Sequence, residues 1–218
     1  IEASISKILG SETLAYSVDE GVQIMGGAGF IEEYPMAGAY RDERINRIFE
    51  GTNEINRLII GGMLLKKSIL DELPIRDTIF NRNNNIDTEL SFPKDHLLSK
   101  EIDIVEFSRT TLLNTLNNLI IKYGQDLKNE QWVLEPLADM VISFSVMHLC
   151  FLRYNALNKK QNITLPILRY SLSRHFEILI SKNNLINNHI MTEIDSKKEN
   201  NIIDQQIKSF NWYVDSIS

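Results

Sequence analysis

QIMGGAGFIEEYPMAGAYRDERINRIFEGTNEINR, residues 23–57, sets out the end of one helix, two further helices and the breaks between them. Gly26-Gly27 stops the first helix, as glycine commonly does at a helix C-terminus. Residues 28–35 read as a loop punctuated by Gly29 and Pro35, and roughly Met36 to Phe49 reads as a second helix. Glu50-Gly51 breaks it, and Thr52 is placed to cap a third helix with Glu54 in its first turn. Glu50 stands out chemically. The bulky residues Ile48 and Phe49 precede it, so the spacing predicts a carboxylate partly shielded from water, and loss of water strengthens a carboxylate as a general base. The N-terminal dipole of the following helix acts in the opposite direction.

Upstream, Leu14, Val18, Val22 and Met25 make one apolar stripe on a helix. The sequence opens on Ile1, already within a helical pattern, so the chain reads as the C-terminal part of a longer protein. Downstream, the third helix runs to about Leu70 and is interrupted by Gly61-Gly62. Residues 71–99 carry Pro74, Pro93 and the run 81–85 without helical period, and read as a linker. Periodicity returns with Leu112, Leu116, Leu119 and Tyr123, and again with Met140, Phe144, Met147, Phe151 and Tyr154. Thr164 and Pro166 open another helix, with a stripe of Leu168, Leu172, His175 or Phe176, and Leu179. A last stripe is Ile203, Ile207, Phe210, Val214 and Ile217. The Asn-rich patches at 183–188 and 200–201 read as compositional bias. The class is all-α: residues 1–70 end one helical bundle, 71–99 link, and 100–218 form a second antiparallel bundle.

The chain has 218 residues, 43% hydrophobic and 24% charged, with a net charge of −6. That balance argues against a nucleic-acid partner, which needs a basic face. The single Cys150 excludes an internal disulfide framework, reads as inert packing, and fits a reducing compartment such as the cytoplasm. The four histidines show no ligand spacing with Cys or carboxylates, so no metal site is expected. The most apolar run, Val141 to Leu152, is shorter than the roughly 20 residues of a bilayer span.

Gln23-Ile24-Met25-Gly26-Gly27, then Gly29-Phe30, then Arg41-Asp42, then Ile48-Phe49-Glu50-Gly51-Thr52-Asn53-Glu54-Ile55 closely resembles the C-terminal signature of the flavin-dependent acyl-CoA dehydrogenases. The resemblance implies that Glu50 is the catalytic base, removing the pro-R α-proton of an acyl-CoA while a β-hydride passes to the N5 atom of FAD. It implies that the thioester carbonyl is held by the backbone N–H of the base and by a ribityl hydroxyl, an oxyanion-hole arrangement. Gly51 is implied beside the substrate. Thr52, Asn53 and Glu54 are implied to contact the flavin, and Gln23, Gly26 and Gly27 the flavin dinucleotide of the neighbouring subunit. Arg41-Asp42 is implied to be structural.

The segment Lys128-Asn129-Glu130-Gln131, with Leu134 and Leu137-Ala138-Asp139, resembles the C-terminal extension of the very-long-chain members, and that resemblance implies that Gln131 lies near the flavin. Phe49, where shorter-chain relatives carry Tyr, agrees. The resemblance further implies a homodimer, electron-transferring flavoprotein as acceptor, the mitochondrial matrix as the compartment in a eukaryote, and no turnover by these 218 residues alone. Membrane association, linked to this linker in the mitochondrial members, needs clustered Lys and Arg, whereas here acidic residues outnumber Arg76, Arg82 and Lys94. Two rivals stay open: an acyl-CoA oxidase, and an assembly or scaffold protein on the same fold.

Overall fold

Gly26 closes the first helix, α1 (Glu2–Met25), in a conformation at φ 57°, ψ −136° that is essentially reserved for glycine. The computed structural model describes residues 1–75, 77–79, 98–157 and 164–190. Among these every regular element is helical. Two compact units divide the chain, Ile1–Leu64 and Leu65–Ser218.

In the first unit, α1 is followed by the single turn α2 (Gly27–Phe30) and by α3 (Pro35–Arg44). The loop expected over 28–35 is therefore helical at its start. The second helix is also shorter than expected. Pro35 opens it at a position where its missing N–H costs nothing, but the chain tightens into a 3₁₀ turn at Ile45–Arg47, and no regular helix continues to Phe49. Both α2 and α3 pack on α1. Gly21 leaves room for α3: a Cβ there would lie 2.8–2.9 Å from the Met36 thioether. The residues of α1 that this unit buries are Ile8, Ser11 and Val18. Of the expected stripe only Val18 is among them, while Leu14 and Met25 are exposed.

The helix α4 (Asn53–Ile69) begins at Thr52 and runs straight through Gly61-Gly62, so the glycine pair does not interrupt it. The boundary between the units falls inside α4, whereas the sequence reading ends its domain at residue 70. Asp71, at φ 55°, turns the chain away after α4. Within the expected linker, residues 75 and 77–79 are helical and Thr78 bonds back to the Pro74 carbonyl through both its N–H (2.9 Å) and its hydroxyl (2.7 Å). Residues 80–97, the final stripe at 203–217 and the Asn pair at 200–201 lie outside the described residues.

The second unit is a bundle of α5 (Ser99–Tyr123), α6 (Gln131–Ala156) and α7 (Thr164–Ile190). Its side chains report the register. Glu101 receives a bond from Arg169, Thr115 meets Asn183, and Lys122 donates to the Ile190 carbonyl; each partner lies 68 residues further on, so α5 and α7 run parallel and in step. Lys122 caps the C-terminal carbonyls of α7 in this way, where a cation suits the helix dipole. Asp139 pairs with Lys182, Ser171 donates to Cys150, and Trp132 meets the His189 ring, so each step forward on α6 is a step backward on α7. Most of the expected stripes are core (Leu112, Leu116 and Leu119; Met140, Met147 and Phe151; Leu168, Leu172, Phe176 and Leu179), whereas Tyr123, Phe144 and Tyr154 are only half-buried and Ile104, Val105, Leu137 and Ile142 join the core from outside them. Phe176, not His175, takes the disputed inward position.

By length and composition α6 could cross a bilayer, because the helix extends well beyond the run 141–152 on both sides. Its apolar residues serve another purpose here. More than half of the apolar window is buried within the chain, against α5 and α7.

The patch 183–188 is more than compositional bias, because Asn183 and Asn187 are fully buried. Asn183 is bonded to Thr115, but neither polar atom of the Asn187 amide has a hydrogen-bond partner among the described residues. A buried amide without partners opposes folding. Asn187→Leu, which keeps the branched shape and removes the two unpartnered polar atoms, is expected to stabilise the chain by about 1 kcal/mol in urea unfolding.

Candidate active site

Glu50 sits on the turn between α3 and α4, in the left-handed region at φ 55°, followed by Gly51 at φ 84°. A non-glycine residue there is held against its preference. The side chain is exposed, as are Ile48 and Phe49. The shielding expected from these apolar neighbours is therefore not provided by this chain, because the helix stops at Arg44 and both residues splay outward on the turn. The Glu50 backbone N–H donates to no acceptor among the described residues.

Thr52 caps α4 as expected: its hydroxyl oxygen accepts from the Ile55 N–H at 3.3 Å. Glu54 stays ionised to lower pH than an ordinary carboxyl group, first through its own backbone N–H, then through the Thr52 hydroxyl, with Arg57 and Lys7 contributing less. Asn53 differs from the other two. Its side chain is buried and turned to α1, where its oxygen accepts from Lys7 (2.6 Å) and its amide donates to Ser11 (3.0 Å) and Glu12 (3.1 Å). Glu12 in turn accepts a forked pair of bonds from Arg57, at 2.8 and 3.1 Å. Of Thr52, Asn53 and Glu54, then, Asn53 can offer a ligand only its backbone. Lys7, Ser11, Glu12, Asn56 and Arg57 went unnoticed in the sequence.

Gln23, Gly26 and Gly27 form a second patch at the far end of α1, exposed, with open space where a Cβ would stand on either glycine. The stretch from Glu12 to Gln23 advances about 16 Å along a helix at roughly 1.5 Å per residue, so this patch and the Glu50 turn are separate. Gly29 works differently from the pair before it. A Cβ there would lie 2.8 Å from the Val22 carbonyl oxygen and 2.9 Å from Val22 Cα. Backbone cannot yield as a side chain can, so Gly29→Ala is expected to cost about 1–3 kcal/mol, readable as a lower urea midpoint. Arg41 pairs with Glu32 rather than with Asp42. Gln131 opens α6 in the second unit and is exposed; Glu130 beside it accepts from the Trp132 indole at 2.7 Å.

Residues 1–65 match the family model described as the acyl-CoA dehydrogenase C-terminal domain. The chain belongs to the acyl-CoA dehydrogenase family. A probable acyl-CoA dehydrogenase of Bacillus subtilis is 44% identical over 158 residues, 70% of this chain and 26% of that protein. The bovine very long-chain specific enzyme is 34% identical over 166 residues, 67% of this chain and 25% of that protein. The bovine short-chain specific enzyme matches 65 residues only, at 45% identity, covering 30% of this chain and 16% of that protein. A crystal structure of a Bacillus anthracis acyl-CoA dehydrogenase complexed with FAD superposes with a TM-score of 0.83 at 32% identity, over 94% of this chain and 35% of that one. The chain spans about a quarter of the length of the curated relatives that it matches along most of its own length.

Proposed function

We propose that this chain is the C-terminal part of a flavin-dependent dehydrogenase that oxidises long-chain acyl-CoA to trans-2-enoyl-CoA, with Glu50 as the base. The observation that carries the reading is the turn itself: a glutamate held left-handed against its preference, its carboxylate and backbone N–H without partners among the described residues, at the start of a helix within a dehydrogenase C-terminal domain. Strain of that kind persists where it serves chemistry.

The Glu50 carboxylate accepts the α-proton of the thioester. Its own N–H donates to the thioester carbonyl and favours the enolate-like form. Gly51, without a side chain, leaves room for that carbonyl beside the base. Ile48 and Phe49, 46% and 48% exposed, supply apolar surface to the acyl thioester and help exclude water once it is bound. FAD, when bound, accepts the β-hydride. Thr52, Glu54 and the backbone of Asn53 would hold it at the α4 N-terminus. The open backbone at Gly26-Gly27 fits the close approach of a flat dinucleotide, together with Gln23. Two separate patches on one chain agree with service to two flavins, one in each subunit of a homodimer.

The long-chain preference is supported by the extent of similarity, since a very long-chain relative matches 67% of this chain and the short-chain enzyme only 30%. Electron-transferring flavoprotein is the acceptor in this reading, and the compartment is the cytoplasm, or the matrix in a eukaryote. Turnover belongs to the longer protein, of which this chain supplies the base. The test is Glu50→Gln in the flavin-loaded protein, with flavin content and acyl-CoA oxidation measured together.

A further inference from the structure

The geometry points to Lys7, seconded by Asn56, as a positioning residue for Glu50: the two side chains grip the Gly51 carbonyl and so set the turn that presents the base. This rests on the reading of Glu50 given above. Lys7 Nζ donates to the Gly51 carbonyl at 3.0 Å and to Asn53 Oδ1 at 2.6 Å. From the other side, Asn56 Nδ2 donates to the same carbonyl at 2.8 Å and to the Thr52 carbonyl at 3.1 Å.

A carbonyl that accepts two side-chain bonds, one from an ammonium, has its peptide plane fixed. The Gly51 carbonyl belongs to the peptide that follows the left-handed pair Glu50 and Gly51. Neither residue is held in that geometry by a regular ladder, and glycine at 51 would by itself allow many others. The hold is therefore external and comes from α1 on one side and α4 on the other. Asn53, with Ser11 and Glu12, anchors Lys7, and Arg57 anchors Glu12, so the grip rests on a network rather than on one flexible side chain. Loosening it lets the turn relax and moves the carboxylate and N–H of Glu50 together.

A pin that merely joins α1 to α4 would lower stability and flavin content, and leave turnover per bound flavin unchanged. A positioning residue does the reverse. The experiment uses Lys7→Met, Lys7→Arg, Asn56→Leu and Glu50→Gln in the flavin-loaded protein that carries this chain. Three readouts are taken: flavin content, kcat and KM for a long-chain acyl-CoA, and the charge-transfer band formed with an acyl-CoA analogue carrying sulfur in place of the β-carbon. That analogue can lose its α-proton but has no β-hydride to give, so the band reports the base alone.

Lys7→Met is expected to lower kcat about 10- to 100-fold, as displacement of a reacting group does, with KM within about twofold, flavin retained and the band weakened. Lys7→Arg, which keeps a cationic donor, should recover part of both. If Lys7→Met fails to fold, Asn56→Leu removes the opposite grip and is expected to act in the same direction. Unchanged kcat and band in Lys7→Met, with Glu50→Gln inactive, overturns this inference alone. Activity that drops only in step with flavin, unimproved by Lys7→Arg, also overturns it. An active Glu50→Gln overturns the underlying reading and this inference with it.

Discussion

Glu50→Gln is expected to slow acyl-CoA oxidation about 10²- to 10⁴-fold while the protein keeps its flavin. The amide has the same shape and sits on the same turn, but a neutral amide cannot take a proton from the α-carbon. The Glu50 N–H is unaltered, so thioester binding should persist, and the loss falls on kcat rather than KM. A second substitution separates chemistry from fold. Glu50 stands at φ 55°, where a side chain costs about 1–2 kcal/mol and glycine costs little. Glu50→Gly is thus expected to raise the urea midpoint, by about 1 kcal/mol of stability, and to be as inactive as Glu50→Gln. A gain in stability with loss of function is what a strained residue kept for its reaction predicts. A Glu50→Gln protein that works within about tenfold of its parent removes Glu50 from the chemistry and leaves the scaffold reading in its place.

What the sequence revealed, and what it hid, follow from the range of the interactions involved. The cap at Thr52 was legible because the accepting hydroxyl and the donating N–H are three residues apart and the pattern is local. The stripes of α5, α6 and α7 were legible because each helix buries one face against its neighbours, and that face repeats in the sequence. The faces of α1 were not: α1 packs on α2 and α3 and bonds to Asn53 through Ser11, and an apolar stripe that the first unit buries only at Val18 looks the same on paper. Lys7 could not be found at all. Its partners are 44 and 46 residues away, and a lone lysine on a helix carries no local sign of them. The turn of the Asn53 side chain toward α1 is hidden for the same reason, since its partners Lys7, Ser11 and Glu12 lie more than 40 residues away. The asparagines of α7 were dismissed as bias because buried amides break the apolar pattern that sequence reading relies on. The glycines show a third limit. Gly26 and Gly29 look alike in the string, yet one allows a backbone angle and the other a close approach.

Phe151→Ala is expected to be the most damaging single change in the second unit, at about 3–5 kcal/mol. Phe151 is completely buried on α6, and loss of its ring removes transfer energy and leaves a cavity. The value should fall toward the lower end of that range. Met147 lies one turn earlier on the same face, and an unbranched methionine can swing to fill part of the gap. Phe151→Leu, which keeps most of the volume, should cost less than about 1.5 kcal/mol. The informative control is Leu149→Ala. Leu149 is 63% exposed, two residues away and on the opposite face, and its truncation should change stability by no more than about 0.5 kcal/mol. The comparison decides what the apolar length of α6 is for. A helix whose residues were spent evenly on an apolar surrounding would lose similar amounts at both positions. A core helix loses stability only on the face that α5 and α7 cover, so urea unfolding of the two variants should differ by several-fold, and equal losses would refute the bundle as the use of that apolar run.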